Sequence, residues 1–249
     1  GPHFHLPEAP VTQDKTVGIV GSGPAGMTAA QDLAEAGYEV HVYEMTDRLG
    51  GTMIWGIPAF RLPQGIIEED MNRILGHCPG IHVHLNCELG KDVALDELKE
   101  RHDAVLLAIG AWWGKEMGIP GSDAAEFVDG VSYLRRINGG ERPPMPSRVV
   151  VIGGGDVSMD ACRVAKRLPG CEDVKVLYRR GANQIPARRD ELEGAIKEGI
   201  DFQYNVQPIR CRKEGENLIL TCVKTVPEDV GNERSMPAFV PDSEHEIRC

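Results

Sequence analysis

One pattern occurs twice in this chain, and it limits the fold more than any other feature. It is a short apolar run, a glycine-rich turn, a helix-like stretch and a second apolar run. The first copy begins with Thr16–Val20 (TVGIV) and turns through GSGPAG at Gly21–Gly26. Ala29, Ala30, Leu33 and Ala34 follow as a helical stripe, Gly37 is placed to end the helix, and Glu39–Glu44 (EVHVYE) reads as the next strand. The second copy begins with Arg148–Ile152 (RVVVI) and turns through GGGDVS at Gly153–Ser158. A helix then runs through Cys162, Val164 and Leu168, before a strand at Val174–Tyr178. Apolar runs of this kind suit strands buried on both faces, and repeated strand–turn–helix–strand units predict parallel sheets with right-handed crossovers. The expected fold class is α/β, with two Rossmann-like dinucleotide-binding domains and a small antiparallel β element.

Weaker signals lie between and after the two copies. Ile67, Met71, Ile74 and Leu75 share a helical face, Ile81–Asn86 alternates like a half-exposed strand, and Leu95–His102 reads as a helix. Ala104–Gly110 (AVLLAIG) predicts a buried strand. Pro143, Pro144 and Pro146 mark a connector. Asp190–Glu198 predicts a helix, and Ile209–Lys213 with Leu218–Val223 a hairpin turning at Glu214-Gly215. Residues 227–249 are polar with weak signals. The expected organisation is a leader with a tag remnant at 1–14 (Gly1-Pro2 resembles a protease-cleavage scar), the first part of one dinucleotide-binding domain at 15–145, a second such domain at 146–226 and a linker returning to the first at 227–249.

The glycines have separate tasks in a dinucleotide turn. Gly21 permits the tight turn, Gly23 lets the backbone approach a pyrophosphate, and Gly26 lets the helix pack closely on the strand. Pro24 and Ala25 open that helix, whose N-terminal N–H groups and positive dipole end attract phosphate. Glu44, 23 residues after Gly21, closes the second strand where an adenosine ribose needs an acceptor. In the second copy Gly153 and Gly155 keep the first two tasks, but Ser158 stands where the third glycine would. No acid closes the strand: Arg179 and Arg180 follow Tyr178. A ribose 2′-phosphate attracts guanidinium groups and is repelled by a carboxylate, so this site suits NADP(H). Arg188 and Arg189 could add to the same field, but they also suit an exposed helix start. An acid-ended fingerprint followed by an arginine-ended one suggests FAD first and NADP(H) second.

Composition excludes other classes. A net charge of −11 argues against nucleic acid, and 5% aromatic residues argue against base-stacking platforms. No apolar run is long enough to span a membrane. The seven cysteines are widely spaced without C-x-x-C, which fits reduced, buried thiols in a cytoplasmic protein rather than a metal or disulfide framework. No metal site is expected. His82 and His84 share one strand face and read as its exposed side, and His77 beside Cys78 is an equally weak signal. Trp112 and Trp113 read as packing at a domain connection.

The motifs together resemble the small (beta) subunit of NADPH-dependent glutamate synthase and its relatives, which include the matching domain of dihydropyrimidine dehydrogenase. The resemblance covers residues 15 to about 226. It rests on IVGSGPAG at 19–26, RLGG at 48–51, WGIPAFRLP at 55–63, LAIGA at 107–111 and MGIPG at 117–121. VIGGGDVSMDACR at 151–163, LYRR at 177–180, IPARRDE at 185–191 and EGIDF at 198–202 complete it. It implies a two-dinucleotide flavoprotein. Gly50 and Gly51 would lie along the FAD, Arg61 and Leu62 near the isoalloxazine, Leu89 beside the adenine and Gly110 past the pyrophosphate. Asp156 and Val157 would cap the NADP pyrophosphate, with Asp160 behind them. No side chain is expected as a catalytic acid or base.

Hydride would pass from NADPH to FAD, and electrons onward to iron–sulfur clusters on a missing segment or on a partner subunit in a hetero-oligomer. The family's N-terminal cysteine-rich segment and its C-terminal Gly-Asp flavin segment are not matched, so the chain is expected to be a fragment that holds FAD poorly. The alternatives are an electron-input subunit with another acceptor, of NAD(P)H–ferredoxin type for example, or a non-catalytic nucleotide-fold scaffold.

Overall fold

The structure is a computed structural model that describes residues 7–226 and 237–249. The chain divides into two compact units, 1–112 and 113–249. The division falls earlier than the expected 145/146 boundary, because residues 113–145 make their contacts within the second unit.

In the first unit β1 (Thr16–Val20), α1 (Pro24–Glu35) and β2 (Glu39–Tyr43) form the first copy of the pattern. The short α2 (Thr52–Trp55) and then α3 (Gln64–His77), β3 (Ile81–His84), α4 (Leu95–Arg101) and β4 (Ala104–Leu107) follow. The four strands lie parallel in the order β3-β2-β1-β4. Alternation along the strands gives each face its own core. Ile19, Val40, Val42 and Ile81 pack against Met27, Ala30 and Ala34 of α1 and against Ile54, Ile67 and Met71. On the opposite face Val20 and Tyr43 meet Leu98 of α4.

α1 ends as its glycine predicts, with Gly37 at φ +92° donating to the Ala34 carbonyl. One expectation needs correction. β4 is not buried on both faces. It is an edge strand, and Leu106, Leu107 and Ile109 are 40%, 48% and 61% exposed, because no described strand pairs beyond it. In the lead-in, Ala9 donates to the His77 carbonyl, and Thr12 and Gln13 donate to the Gly37 carbonyl. Gly1-Pro2 lies outside the described residues.

The second unit begins with α5 (Gly130–Asn138), which the sequence reading missed, and which Asp129 caps by accepting from the Ser132 N–H at 2.9 Å. β5 (Arg148–Ile152), α6 (Asp156–Arg167) and β6 (Asp173–Tyr178) form the second copy of the pattern. α7 (Arg189–Lys197) and β7 (Asp201–Tyr204) extend it to a parallel sheet of order β5-β6-β7. β8 (Val206–Glu214) and β9 (Asn217–Lys224) make the expected hairpin, with Gly215 at φ +63° in its turn. β10 (His245–Arg248) joins β9 antiparallel. Part of the segment expected as a linker is therefore a strand of the second unit. Ile247 is the reason, packing with Leu218, Leu220 and Leu177. Residues 227–236 lie outside the description. Among the described residues no helix is long and apolar enough to cross a membrane.

Candidate functional site

The first glycine turn is held by close approach of backbone to backbone. A Cβ on Gly26 would stand 1.9 Å from the Gly21 carbonyl oxygen, and one on Gly21, at φ +101°, 2.4 Å from the Ala108 carbonyl oxygen. A Cβ on Gly23 would meet nothing within 4 Å. The turn is thus closed on the protein side at Gly21 and Gly26 and open at Gly23, where a pyrophosphate needs room. Gly23 is the N-cap of α1, followed by Pro24 at the first helical position and Ala25, both exposed.

Gly50 and Gly51 lie against the same turn. Gly50 donates its N–H to the Ser22 carbonyl at 3.0 Å, and a Cβ on Gly51, at φ +51°, would stand 2.7 Å from the Gly23 Cα. The RLGG and GSGPAG blocks therefore meet in space. Arg61 and Leu62 close a turn on the Pro58 carbonyl. Leu89 packs beside Val20, Tyr43 and Val93, and Gly110, at φ +62°, is exposed just beyond β4.

Glu44 is 4% exposed and follows β2 directly. One oxygen accepts from the Ser22 N–H (3.0 Å) and Oγ (2.5 Å), the other from the Thr46 N–H and Oγ1 (both 2.8 Å). A carboxylate offers about four acceptor positions, and all are in use here. A ribose hydroxyl would reach it by displacing the hydroxyl of Ser22 or Thr46. The sequence reading named Glu44 but missed both partners, although both lie within two residues of motif positions.

The close approach at Gly26 carries an expected result. Gly26→Ala forces backbone apart, and overpacking of this kind costs about 1–3 kcal/mol. The corresponding position of the second unit already holds Ser158, so Ser158→Ala is expected to cost under ~1 kcal/mol. Urea denaturation of the two variants checks this, and equal midpoints would contradict it.

In the second unit a Cβ on Gly153, at φ +135°, would stand 2.5 Å from Ser158 Oγ, whereas one on Gly155, the N-cap of α6, would meet nothing within 4 Å. Asp156 and Val157 are the first two residues of α6, where N–H groups have no partner within the helix. The Asp156 carboxylate accepts from the Arg188 N–H at 3.0 Å. It ties the 181–188 loop to the turn, a task the sequence reading did not foresee. Asp160 is 4% exposed on α6.

Arg179 and Arg180 are half-buried just past β6. Their carbonyls accept from Thr225 Oγ1 (2.7 Å) and from the Asn205 N–H (3.1 Å). Beside them Tyr178 packs under Gly154, where a Cβ would lie 2.6 Å from its ring, and donates its hydroxyl to the Gln184 carbonyl at 2.8 Å. Arg188 and Arg189 start α7 as expected of an exposed helix start, pairing with Glu191 and Glu193.

Two sets of titratable groups lie apart from the glycine turns. All seven cysteines are free, and burial pushes the Cys162 and Cys222 thiols up to about 12, which leaves them unreactive at neutral pH. The His82/His84 face is not merely a solvated strand face, because His41 and His102 join it. Burial, then the neighbouring His41, His82 and Arg101, hold His84 below the ordinary histidine value. Burial, His41, Arg101 and His84 do the same for His102, against a small opposing pull from Glu39. The unfolded chain therefore binds more protons than the native one as pH falls through about 6.5, and stability is lost there until the lower native values are passed. We expect the thermal midpoint to be flat above neutrality and to fall between pH 7 and 5.5. The fall should be smaller in His84→Asn and His102→Asn. A profile shared by the parent and both variants would contradict this.

The sequence pattern of the pyridine nucleotide-disulphide oxidoreductase family matches residues 15–232. The chain belongs to this family. Among curated proteins it is 37% identical over 246 residues to the beta subunit of an NADP(+)-dependent formate dehydrogenase of Moorella thermoacetica, covering 96% of this chain and 34% of that one. It is 34% identical over 252 residues to the small chain of the NADPH glutamate synthase of Azospirillum brasilense, covering 94% and 51%. It is 38% identical over 246 residues to the beta subunit of an NADPH-Fe(3+) oxidoreductase of Geobacter sulfurreducens, covering 95% and 36%. The chain thus spans about a third to a half of the length of these relatives. Among solved structures FprA of Mycobacterium tuberculosis superposes with a TM-score of 0.78 at 21% identity, over 95% of this chain and 69% of that one. Thioredoxin reductase of T. acidophilum gives 0.62 at 16%, over 94% and 75%. These likenesses establish the two-dinucleotide oxidoreductase fold.

Proposed function

We propose that this chain is the electron-input module of a flavin-dependent oxidoreductase, taking NADPH in its second unit and FAD in its first. The observation that carries this reading is the contrast between two otherwise matching turns. A buried acid, Glu44, closes the first, and an arginine pair, Arg179-Arg180, closes the second. The three relatives are each named for NADP(+) or NADPH while their other substrates differ, which supports a common donor side.

The residues fit the two cofactors. Gly23 and Gly155 leave open the space that each pyrophosphate would fill, at the N-termini of 12-residue helices. Once bound, FAD and NADPH would supply the hydride and electron-transfer chemistry. The chain's own work is to bind, orient and discriminate. Gly21, Gly23 and Gly26 shape the FAD phosphate cradle, Gly50 and Gly51 back it, and Glu44 takes the ribose in exchange for a hydroxyl of Ser22 or Thr46. Arg61, Leu62, Leu89 and Gly110 line the remainder of the FAD path. Gly153, Gly155, Asp156 and Val157 form the second cradle through their backbone, and Arg179 and Arg180 select the 2′-phosphate. The partner is an electron-accepting subunit or domain with iron–sulfur clusters, in a cytoplasmic hetero-oligomer.

Extraction of the cofactor from the purified protein tests this reading. FAD is the expected product, at no more than one per chain. A colourless protein that takes up neither FAD nor NADPH would instead support a scaffold role.

A further inference from the structure

Outside both glycine turns, the first unit gathers histidines on one face of its sheet. β2 and β3 run parallel in register, so His41 stands beside His82 and Tyr43 beside His84. Glu39 is two residues before His41 and shares its face. Glu39 Oε1 lies 3.2 Å from His41 Nε2 and 3.2 Å from His82 Nε2, and these three atoms all fall within 4.8 Å of one another. His84 Nε2 sits 3.0 Å from His41 Nδ1, with the two rings nearly parallel. The sequence reading expected no metal here because it saw His82 and His84 alone. The parallel register adds the ligands that the reading lacked.

We propose that Glu39, His41 and His82 form a zinc-binding site, with His84 as the residue that orients His41. Zinc takes imidazole nitrogen and carboxylate oxygen at about 2.0–2.2 Å, so neighbouring ligand atoms of a tetrahedral ion stand roughly 3.3 Å apart. The two separations of 3.2 Å already match that edge. His82 and Glu39 are 48% and 39% exposed, which admits the ion and leaves water its fourth position, while His41 is more enclosed at 22%. Metal-bound histidines commonly donate their other ring N–H to an acceptor, which fixes the tautomer. His84 supplies that acceptor: with His41 Nδ1–H donating to His84 Nε2, the His41 Nε2 lone pair faces the ion. The bound ion would clip the outer strand β3 to β2.

A second group, Glu35, His77 and Cys78, also has its ligand atoms within 4.8 Å of one another. Cys78 is fully buried in the core and its thiol is pushed up by burial, so it is the weaker ligand set.

The test is calorimetric titration of Zn2+ at pH 7.5 into the full chain carrying His3→Ala and His5→Ala, which removes the two histidines outside the described residues. Cobalt absorption serves as a second readout. One ion per chain is expected, with a tetrahedral cobalt spectrum free of thiolate charge-transfer bands. His82→Ala and Glu39→Gln should each weaken zinc at least ~10-fold, and His84→Ala about 10–100-fold. His245→Ala, in the second unit, should change nothing. Circular dichroism establishes that each variant is folded, and Glu39→Gln, at a half-exposed strand end, keeps the test decisive if a histidine variant unfolds. No binding, equal binding by the parent and Glu39→Gln, or thiolate bands pointing to Cys78 would each overturn the proposal.

Discussion

Replacing Gly23 by valine is expected to strip the flavin from a protein that otherwise folds normally. A Cβ at this position meets no protein atom within 4 Å, so the fold itself does not require glycine there. The φ of −68° is also open to any residue. The cost falls on the ligand, because a side chain would occupy the space through which a pyrophosphate approaches the N-terminus of α1. Overpacking of about 1–3 kcal/mol corresponds to a loss of FAD affinity of roughly 5–150-fold. Gly26→Ala at the other end of the turn is the useful contrast: its Cβ meets backbone, so stability suffers first. Flavin content per folded protein, measured by absorbance after gel filtration, separates the two. Full retention of flavin by Gly23→Val would remove the first glycine turn from the cofactor site.

Changing Arg179 and Arg180 together to alanine is expected to weaken NADPH and leave NADH nearly unaffected. Charge-assisted hydrogen bonds contribute about 1.5–3 kcal/mol each, so the loss of even one lowers NADPH affinity by about tenfold or more. Thr225 and Asn205 donate to the carbonyls of these residues, contacts that alanine keeps. Binding of both nucleotides is measured by fluorescence titration. Equal losses for NADPH and NADH would mean that the pair does not read the 2′-phosphate.

These predictions rest on parts of the molecule that short-range patterns make legible. The two glycine turns, the helices after them and the strands on either side all follow from local rules of backbone freedom and apolar period. The hairpin around Gly215 is legible for the same reason. What escaped the sequence depended on neighbours distant in the chain. Ala104–Leu107 is apolar enough for a central strand, yet among the described residues it lies at an edge, since strand order is decided by pairing and not by composition. β10 is polar at three of its four residues, and only Ile247, buried against β9, makes it a strand. Glu44 was legible as an acceptor but its engagement by Ser22 and Thr46 was not, because hydrogen-bond partners are set by side-chain direction. The histidine face needed the register of two parallel strands before His41 and His82 could be seen together.

The central claim is that electrons enter this chain from NADPH and reach a flavin held by the first glycine turn. Anaerobic titration of the FAD-loaded protein with NADPH, followed by flavin absorbance, tests it most directly. The account predicts that the flavin bands bleach with one NADPH per FAD, and that NADH at the same concentration bleaches them far more slowly. Flavin absorbance that NADPH leaves unchanged, or that NADH bleaches equally fast, would contradict it.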